Sequence, residues 1–247
     1  MSAATYPNYS PGLEGVIGGI STISEIISET SSLVYRGYDV HDLASKGCFE
    51  ETAHLLIYGH LPNQAELDAL KKTLANEREV PEQVYTAMKQ MPKNAHPMDL
   101  TKAGFVAYAP FDPDYAKPAT DDEANVAKAI RILAKASTIV GNGHRIRQGL
   151  EPLKPKAEHT IAQNFLYLMS GQEPDAKTAH VLDSSLTLYA EHGYNASTFA
   201  CRVTVSTLSD LFSGVASGIG TLRGPLHGGA NEEAMRMLQE IGSPDKA

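Results

Sequence analysis

Apolar positions recur at helical spacing along most of this chain. Leu67, Leu70 and Leu74 share one face, and Asn63 with Glu66 three residues later has the form of a capping box, so the pattern predicts a helix over 64–76. Val84, Ala87, Met88 and Met91 fit a second, shorter helix that ends at Pro92. Acidic residues at 121–123 suit the start of a longer helix continuing through Val126, Ile130 and Leu133. Ile161, Phe165, Leu168 and Met169 mark another helix, and Ala179, Leu182, Leu186 and Tyr189 the next. The exception is the run VIGGISTISEIISETSSLV at 16–34, whose Ile, Val, Ser and Thr content predicts a β-hairpin or two short strands. Proline-broken segments at 110–121 and 149–159 read as loops, and no internal repeat interrupts the pattern. The expected fold class is mainly α, multi-helical, with a short N-terminal β-hairpin.

Beyond Tyr189 the chain carries two histidines in similar settings. His192 precedes Gly193, and Asn195 is placed to cap a helix running from Ser197 to about residue 205. His227 lies between two glycine-rich turns in GPLHGGANEE, and a helix with Glu232 and Glu233 in its first turn follows. A continuous helix over 197–219 would be about 34 Å long, too long for both histidines to meet one small ligand, so it is expected to break. Ser209 offers a fresh cap for a second helix over 210–220, whose Gly214, Ala216, Ser217, Gly218 and Gly220 allow tight packing. The positive end of a helix disfavours an imidazolium and attracts anions. A neutral imidazole there has the chemistry to donate a hydrogen bond to a carbonyl oxygen and to stabilise an enolate. The same histidines also fit a plainer role as caps or hydrogen-bonding loop residues.

Composition narrows the function classes. The 247 residues are 42% hydrophobic, enough to bury a core without metal or disulfide support. Cys48 and Cys201 are far apart and form no CxxC pair, and the remaining histidines share no ligand spacing with carboxylates or thiolates, so no metal site is expected. A net charge of −8 without basic runs argues against nucleic acid. The first residues, MSAATYPNYSPG, lack a signal-peptide pattern, and no apolar stretch is long enough to span a bilayer, so a cytoplasmic protein with no membrane partner is expected. GNGH at 141–144 only faintly suggests a phosphate loop, because it follows a helical pattern rather than a strand. Arg145 and Arg147 fit either an anion contact or a solvated helix end.

Taken in order, PGLEGVI, SLVYRGYDVHDLA, HPMDL at 96–100, EHGYNASTFACRV, STLSD and GPLHGGANEEAMRML closely resemble the citrate synthase family, in the bacterial form shared with 2-methylcitrate synthases. The resemblance implies an acyltransferase condensing oxaloacetate with acetyl-CoA to citrate, with 2-methylcitrate formation from propionyl-CoA and a noncatalytic assembly subunit as alternatives. It implies that catalytic His227 hydrogen-bonds the thioester carbonyl, that His192 binds oxaloacetate, and that Asn195 and Ser197 support the site. It also implies a homodimer formed by helices near 97–109, 122–141, 179–190 and 210–220, with no metal and no resident cofactor, acetyl-CoA being a substrate. Residues 1–223 would belong to the large domain and 224–247 to the hinge and first helix of a small domain. The family's further histidine, its aspartate base and its substrate-gripping arginines would follow GPLHGGAN and match nothing here. The chain by itself is therefore expected to be catalytically incomplete.

Overall fold

A computed structural model of the chain describes residues 15–29, 31–243 and 245. The start of PGLEGVI and the segment MSAATYPNYSPG fall outside these residues. Strands β1 (Ser24–Ile27) and β2 (Ser32–Tyr35) pair antiparallel with Ser24 opposite Tyr35, giving the expected hairpin. A third strand, β3 (Tyr38–Asp39), joins β2 through Arg36 and Gly37, both at positive φ (49° and 88°), the backbone a two-residue hairpin turn demands. Tyr35 is fully buried and packs with Val40, Leu43 and Leu55, so the small sheet is fixed to the helices behind it.

Helices follow in unbroken succession: α1 (Val40–Lys46), α2 (Phe49–Tyr58), α3 (Gln64–Asn76), α4 (Glu82–Lys89), α5 (Pro97–Tyr108), α6 (Asp122–Arg147), α7 (Ile161–Ser170) and α8 (Ala176–Leu188). The last three are α9 (Ala196–Ser206), α10 (Leu211–Leu222) and α11 (Gly229–Ile241). Helix α3 has the expected bounds, and the reciprocal bonds between Asn63 and Glu66 start it. Its Leu67, Leu70 and Leu74 are buried, as the spacing required.

Helix α6, with 26 residues and about 39 Å of length, is the axis on which the rest packs. One side meets α4, α5 and α10 in a cluster holding Val84, Met88, Leu100, Phe105, Ile139 and Phe212. The other meets α2, α3 and α7 through Phe49, Leu70, Leu74, Ile130, Ala134 and Ile161. Ion pairs lie close beside this core: Arg131 grips buried Asp112 (2.6 Å) and Asp114 (2.7 Å). Hydrogen bonds and attraction to these carboxylates raise the Arg131 pKa above its usual range, although burial opposes them as the largest single influence.

The faint phosphate loop is not a loop. Residues 141–144 lie inside α6, where Asn142 is fully buried and bonds Tyr85 and both the N–H and the C=O of Leu153. Arg145 and Arg147 donate to the carbonyls of Glu151 and Ala95, which makes them tethers at a helix end. The segment they hold, 148–159, is irregular as its prolines foretold.

Candidate functional site

The break expected after α9 is real but is capped differently. The connection runs through Thr207–Asp210, with Leu208 at φ 63°, and Asp210 rather than Ser209 caps α10 by accepting from the Ser213 N–H at 3.0 Å. A carboxylate beside a helix N-terminus gains from the dipole as well as from the hydrogen bond, which a serine hydroxyl does not match. Helix α10 folds back along α9, so that Gly218 faces the Ser197 carbonyl while Gly214 faces Cys201 and Val205. A Cβ on Gly214 would sit 2.7 Å from Val205 Cγ1, so the small residues set the spacing of the pair.

This reversal returns the chain to the start of α9. Arg223, the residue after α10, donates to Asp99 at 2.8 Å, which ties the end of the hairpin to the first turn of α5. That hydrogen bond leads the influences holding the Asp99 carboxyl below its ordinary range. The turn then closes on Gly224, whose carbonyl accepts from the N–H groups of His227 and Gly228. Only glycine fits at 228, because a Cβ there would lie 1.9 Å from the Leu222 carbonyl oxygen.

His227 Nε2 is thereby placed 3.3 Å from the Ser197 N–H and 3.0 Å from Ser197 Oγ. Ser197 is the second residue of α9, so its N–H is one of the donors the helix itself leaves unpaired. Asn195 meets the next need, accepting from the Thr198 N–H at 2.8 Å. A backbone N–H only donates, so Nε2 carries the lone pair and the proton sits on Nδ1. Ser197 Oγ lies 2.6 Å from Asn195 Oδ1 and directs its single proton to that oxygen or to Nε2. The dipole that acts on His227 thus belongs to α9 as well as to α11, the helix it directly precedes.

His192 lies three residues before the Asn195 cap, at most about 11 Å away along an extended chain. It is exposed, with no hydrogen bond to any described residue. Its loop is nonetheless held firmly. Glu191 Oε1 accepts from Ser24 Oγ at 3.1 Å and also from the Gly193 N–H, and the Glu191 N–H donates to Tyr35 Oη at 3.3 Å. Tyr194 Oη donates to the Ile20 carbonyl at 2.8 Å, and Arg202 stacks over its ring at 4.5 Å. Asn195, Ser197 and His227 therefore converge on one helix end, with His192 on the adjoining loop. Sequence reading missed Ser24, Glu191 and Asp99, which help to hold this arrangement. Asp99 lies in HPMDL and Arg223 immediately precedes GPLHGG, but nothing in one chain pairs positions 124 residues apart.

Comparison with known proteins decides the ancestry. A family model described as citrate synthase, C-terminal domain, matches residues 12–247. The chain belongs to the citrate synthase family. Citrate synthase 2 of Bacillus subtilis is 44% identical over 96% of this chain and 63% of its own length. A 2-methylcitrate synthase of Mycobacterium tuberculosis is 42% identical, over 98% of this chain and 60% of its own. The crystal structure of citrate synthase from Pyrobaculum aerophilum superposes with a TM-score of 0.90 at 39% identity, covering 96% of this chain and 60% of that one. A Thermoplasma acidophilum citrate synthase, solved as a ternary complex with carboxymethyl coenzyme A and oxaloacetate, gives 0.87 at 32% identity, with 96% and 62% covered. The chain thus spans about three fifths of the length of these citrate synthases. The mainly helical fold with its N-terminal hairpin is that of the family.

Proposed function

We propose that these residues supply the enolate-stabilising part of a citrate synthase, an acyltransferase acting on acetyl-CoA and oxaloacetate. The observation that carries this reading is the bond from the Ser197 N–H to His227 Nε2, which leaves Nδ1–H free to donate. A carboxylate base removes a methyl proton from acetyl-CoA. The electron pair moves into the thioester, and the oxygen that gains charge is stabilised by the His227 Nδ1–H. The methylene carbon then attacks the ketone carbon of oxaloacetate, forming the new C–C bond, and the ketone oxygen takes up a proton. Water cleaves the resulting thioester to citrate and CoA. His192 holds oxaloacetate, and Asn195 and Ser197 keep His227 in its tautomer.

Among the described residues no carboxylate is in hydrogen-bond contact with His227, and in this reading the base is an aspartate supplied by the family's further motifs. Residues 1–223 correspond in this reading to the large domain and 224–247 to a hinge and the first helix of a small one. The polypeptide acts in the cytoplasm without a resident cofactor and as a homodimer. Val106 on α5 and Val181 and Leu188 on α8, all exposed apolar side chains, belong to the contacting surface.

Thiol release from acetyl-CoA with oxaloacetate tests the reading. The 247 residues alone are expected to be inactive, and a protein extended to the length of the relatives is expected to make citrate. Turnover by the short chain within tenfold of the extended protein defeats the claim of incompleteness, and no citrate from the extended protein defeats the function. Because a 2-methylcitrate synthase is among the relatives, propionyl-CoA belongs in the same assay, and a higher kcat/KM for it reassigns the substrate.

A further inference from the structure

The turn between α2 and α3 gathers three groups that the proposed reaction does not use. His54 stands in the last turns of α2 and is 5% exposed, His60 follows the left-handed Gly59 that ends the helix, and Glu66 lies in the first turn of α3. One ligand atom of each lies within 4.8 Å of the other two. A spacing of six residues puts successive members on different faces of a helix and about 20 Å apart along a strand, so the turn is what brings them together. This is why the sequence gives no sign of it.

Each group already has its supporting bond. His54 Nδ1 lies 3.0 Å from the His60 carbonyl oxygen, and His60 Nδ1 lies 3.0 Å from the Leu61 carbonyl oxygen. A carbonyl only accepts, so both rings carry their proton on Nδ1 and keep the Nε2 lone pair. Histidines that ligate metals are oriented in this way. Glu66 Oε2 accepts from the Asn63 N–H at 2.8 Å, which fixes the carboxylate and leaves Oε1 uncommitted. All three line a cleft of about 670 Å³ between α2, α3 and α6, together with Leu70, Val126 and Ile130.

We propose that His54, His60 and Glu66 form a site for a divalent ion of the zinc, cobalt or nickel class, with a coordination position open to the cleft. Two imidazoles and one carboxylate suit these ions, whereas magnesium and calcium prefer oxygen ligands throughout. Bonds of about 2.0–2.2 Å around a tetrahedral ion bring ligand atoms to about 3.4 Å from one another. The adjustment from 4.8 Å falls on the exposed His60 and on Glu66 while buried His54 stays in place. Bound metal would staple the end of α2 to the beginning of α3.

Calorimetric titration of the untagged 247-residue chain with Zn²⁺ is the test. One ion per chain is expected, with no comparable binding of Mg²⁺. His60→Ala removes an exposed ligand, and Glu66→Gln keeps a carbonyl to cap Asn63 while withdrawing the charge. Each is expected to weaken Zn²⁺ binding by more than about tenfold, an effect that even an outer partner of a metal ligand commands. Circular dichroism and metal-free melting should show both variants folded, and His60→Gln serves in place of the alanine if that variant does not fold. Absence of stoichiometric binding, or unchanged Zn²⁺ affinity in a folded variant at either position, overturns the proposal.

Discussion

At the scale of single residues, the important fact about His227 is what sits behind it. A histidine in a glycine-rich turn is by itself unremarkable, and capping a neighbouring helix is a sufficient structural role. Here the same bond that caps α9 dictates which ring nitrogen keeps its proton. In an extended protein that carries these residues, His227→Ala is expected to lower kcat by about 10²–10³, the usual consequence of losing one donor to a developing oxyanion. The KM for oxaloacetate should change little. His192→Ala should do the reverse, raising that KM by about tenfold or more for a lost bond to a charged ligand. Steady-state kinetics with both substrates varied separates the two roles, and equal effects on both parameters in both variants would contradict the assignment. Both histidines and the Asn195 cap were legible in residue type and helix-start position, whereas Ser197 came only from the family resemblance. Gly228 was legible only as a permissive residue. Its necessity comes from the Leu222 carbonyl oxygen, which would lie 1.9 Å from any Cβ there.

Among elements, the α9–α10 hairpin converts a sequence separation of 30 residues into a contact between Ser197 and His227. Its spacing depends on small side chains rather than on a deep core, since no residue of α9 is fully buried. Gly214→Val is expected to force the pair apart, because even its first carbon would lie 2.7 Å from Val205 and 3.1 Å from Cys201. Overpacking of this kind costs about 1–3 kcal/mol. Thermal unfolding should show a lowered Tm, and an unchanged Tm would mean that the helices part freely. Helices α3, α4, α6, α7 and α8 were readable because the 3.6-residue period recorded which faces are buried, whereas the short α1 and α2 were not singled out. The cap at Asp210 was missed because Ser209 and Asp210 are both good cap residues, and the backbone at Leu208 chooses between them. The third strand was missed because two residues are too few to show any period.

For the molecule as a whole, a half-buried carboxylate beside the start of α2 gives stability a pH dependence. Asp183 of α8 accepts from the Phe49 N–H at 3.1 Å at the start of α2, near the almost fully buried Glu50. Burial first, and repulsion from Glu50 second, raise its carboxyl above the ordinary Asp value. A raised acid is more readily protonated when folded, so its ionisation costs stability. The penalty is absent below the unfolded value, appears as pH rises towards the folded one, and persists at neutrality. Asp183→Asn keeps a carbonyl acceptor for Phe49, so its Tm relative to the parent should be higher at pH 7 than at pH 4. A difference independent of pH would refute this electrostatic account. None of it was visible in sequence, where Asp183 is simply a polar residue on an amphipathic helix.

The bond from Ser24 to Glu191 bridges 167 positions, and the one from Ser197 to His227 cannot form until α10 has turned back. On the ribosome, then, the earlier helices can pack on α6 first, whereas the bond to Ser24 must await Glu191 and the contact with Ser197 must await His227. The nascent polypeptide thus acquires its bulk long before it joins Ser197 to His227. Clipping the leading strand from the finished protein should free Glu191 of its Ser24 partner and loosen the loop bearing His192 while sparing most of the mass.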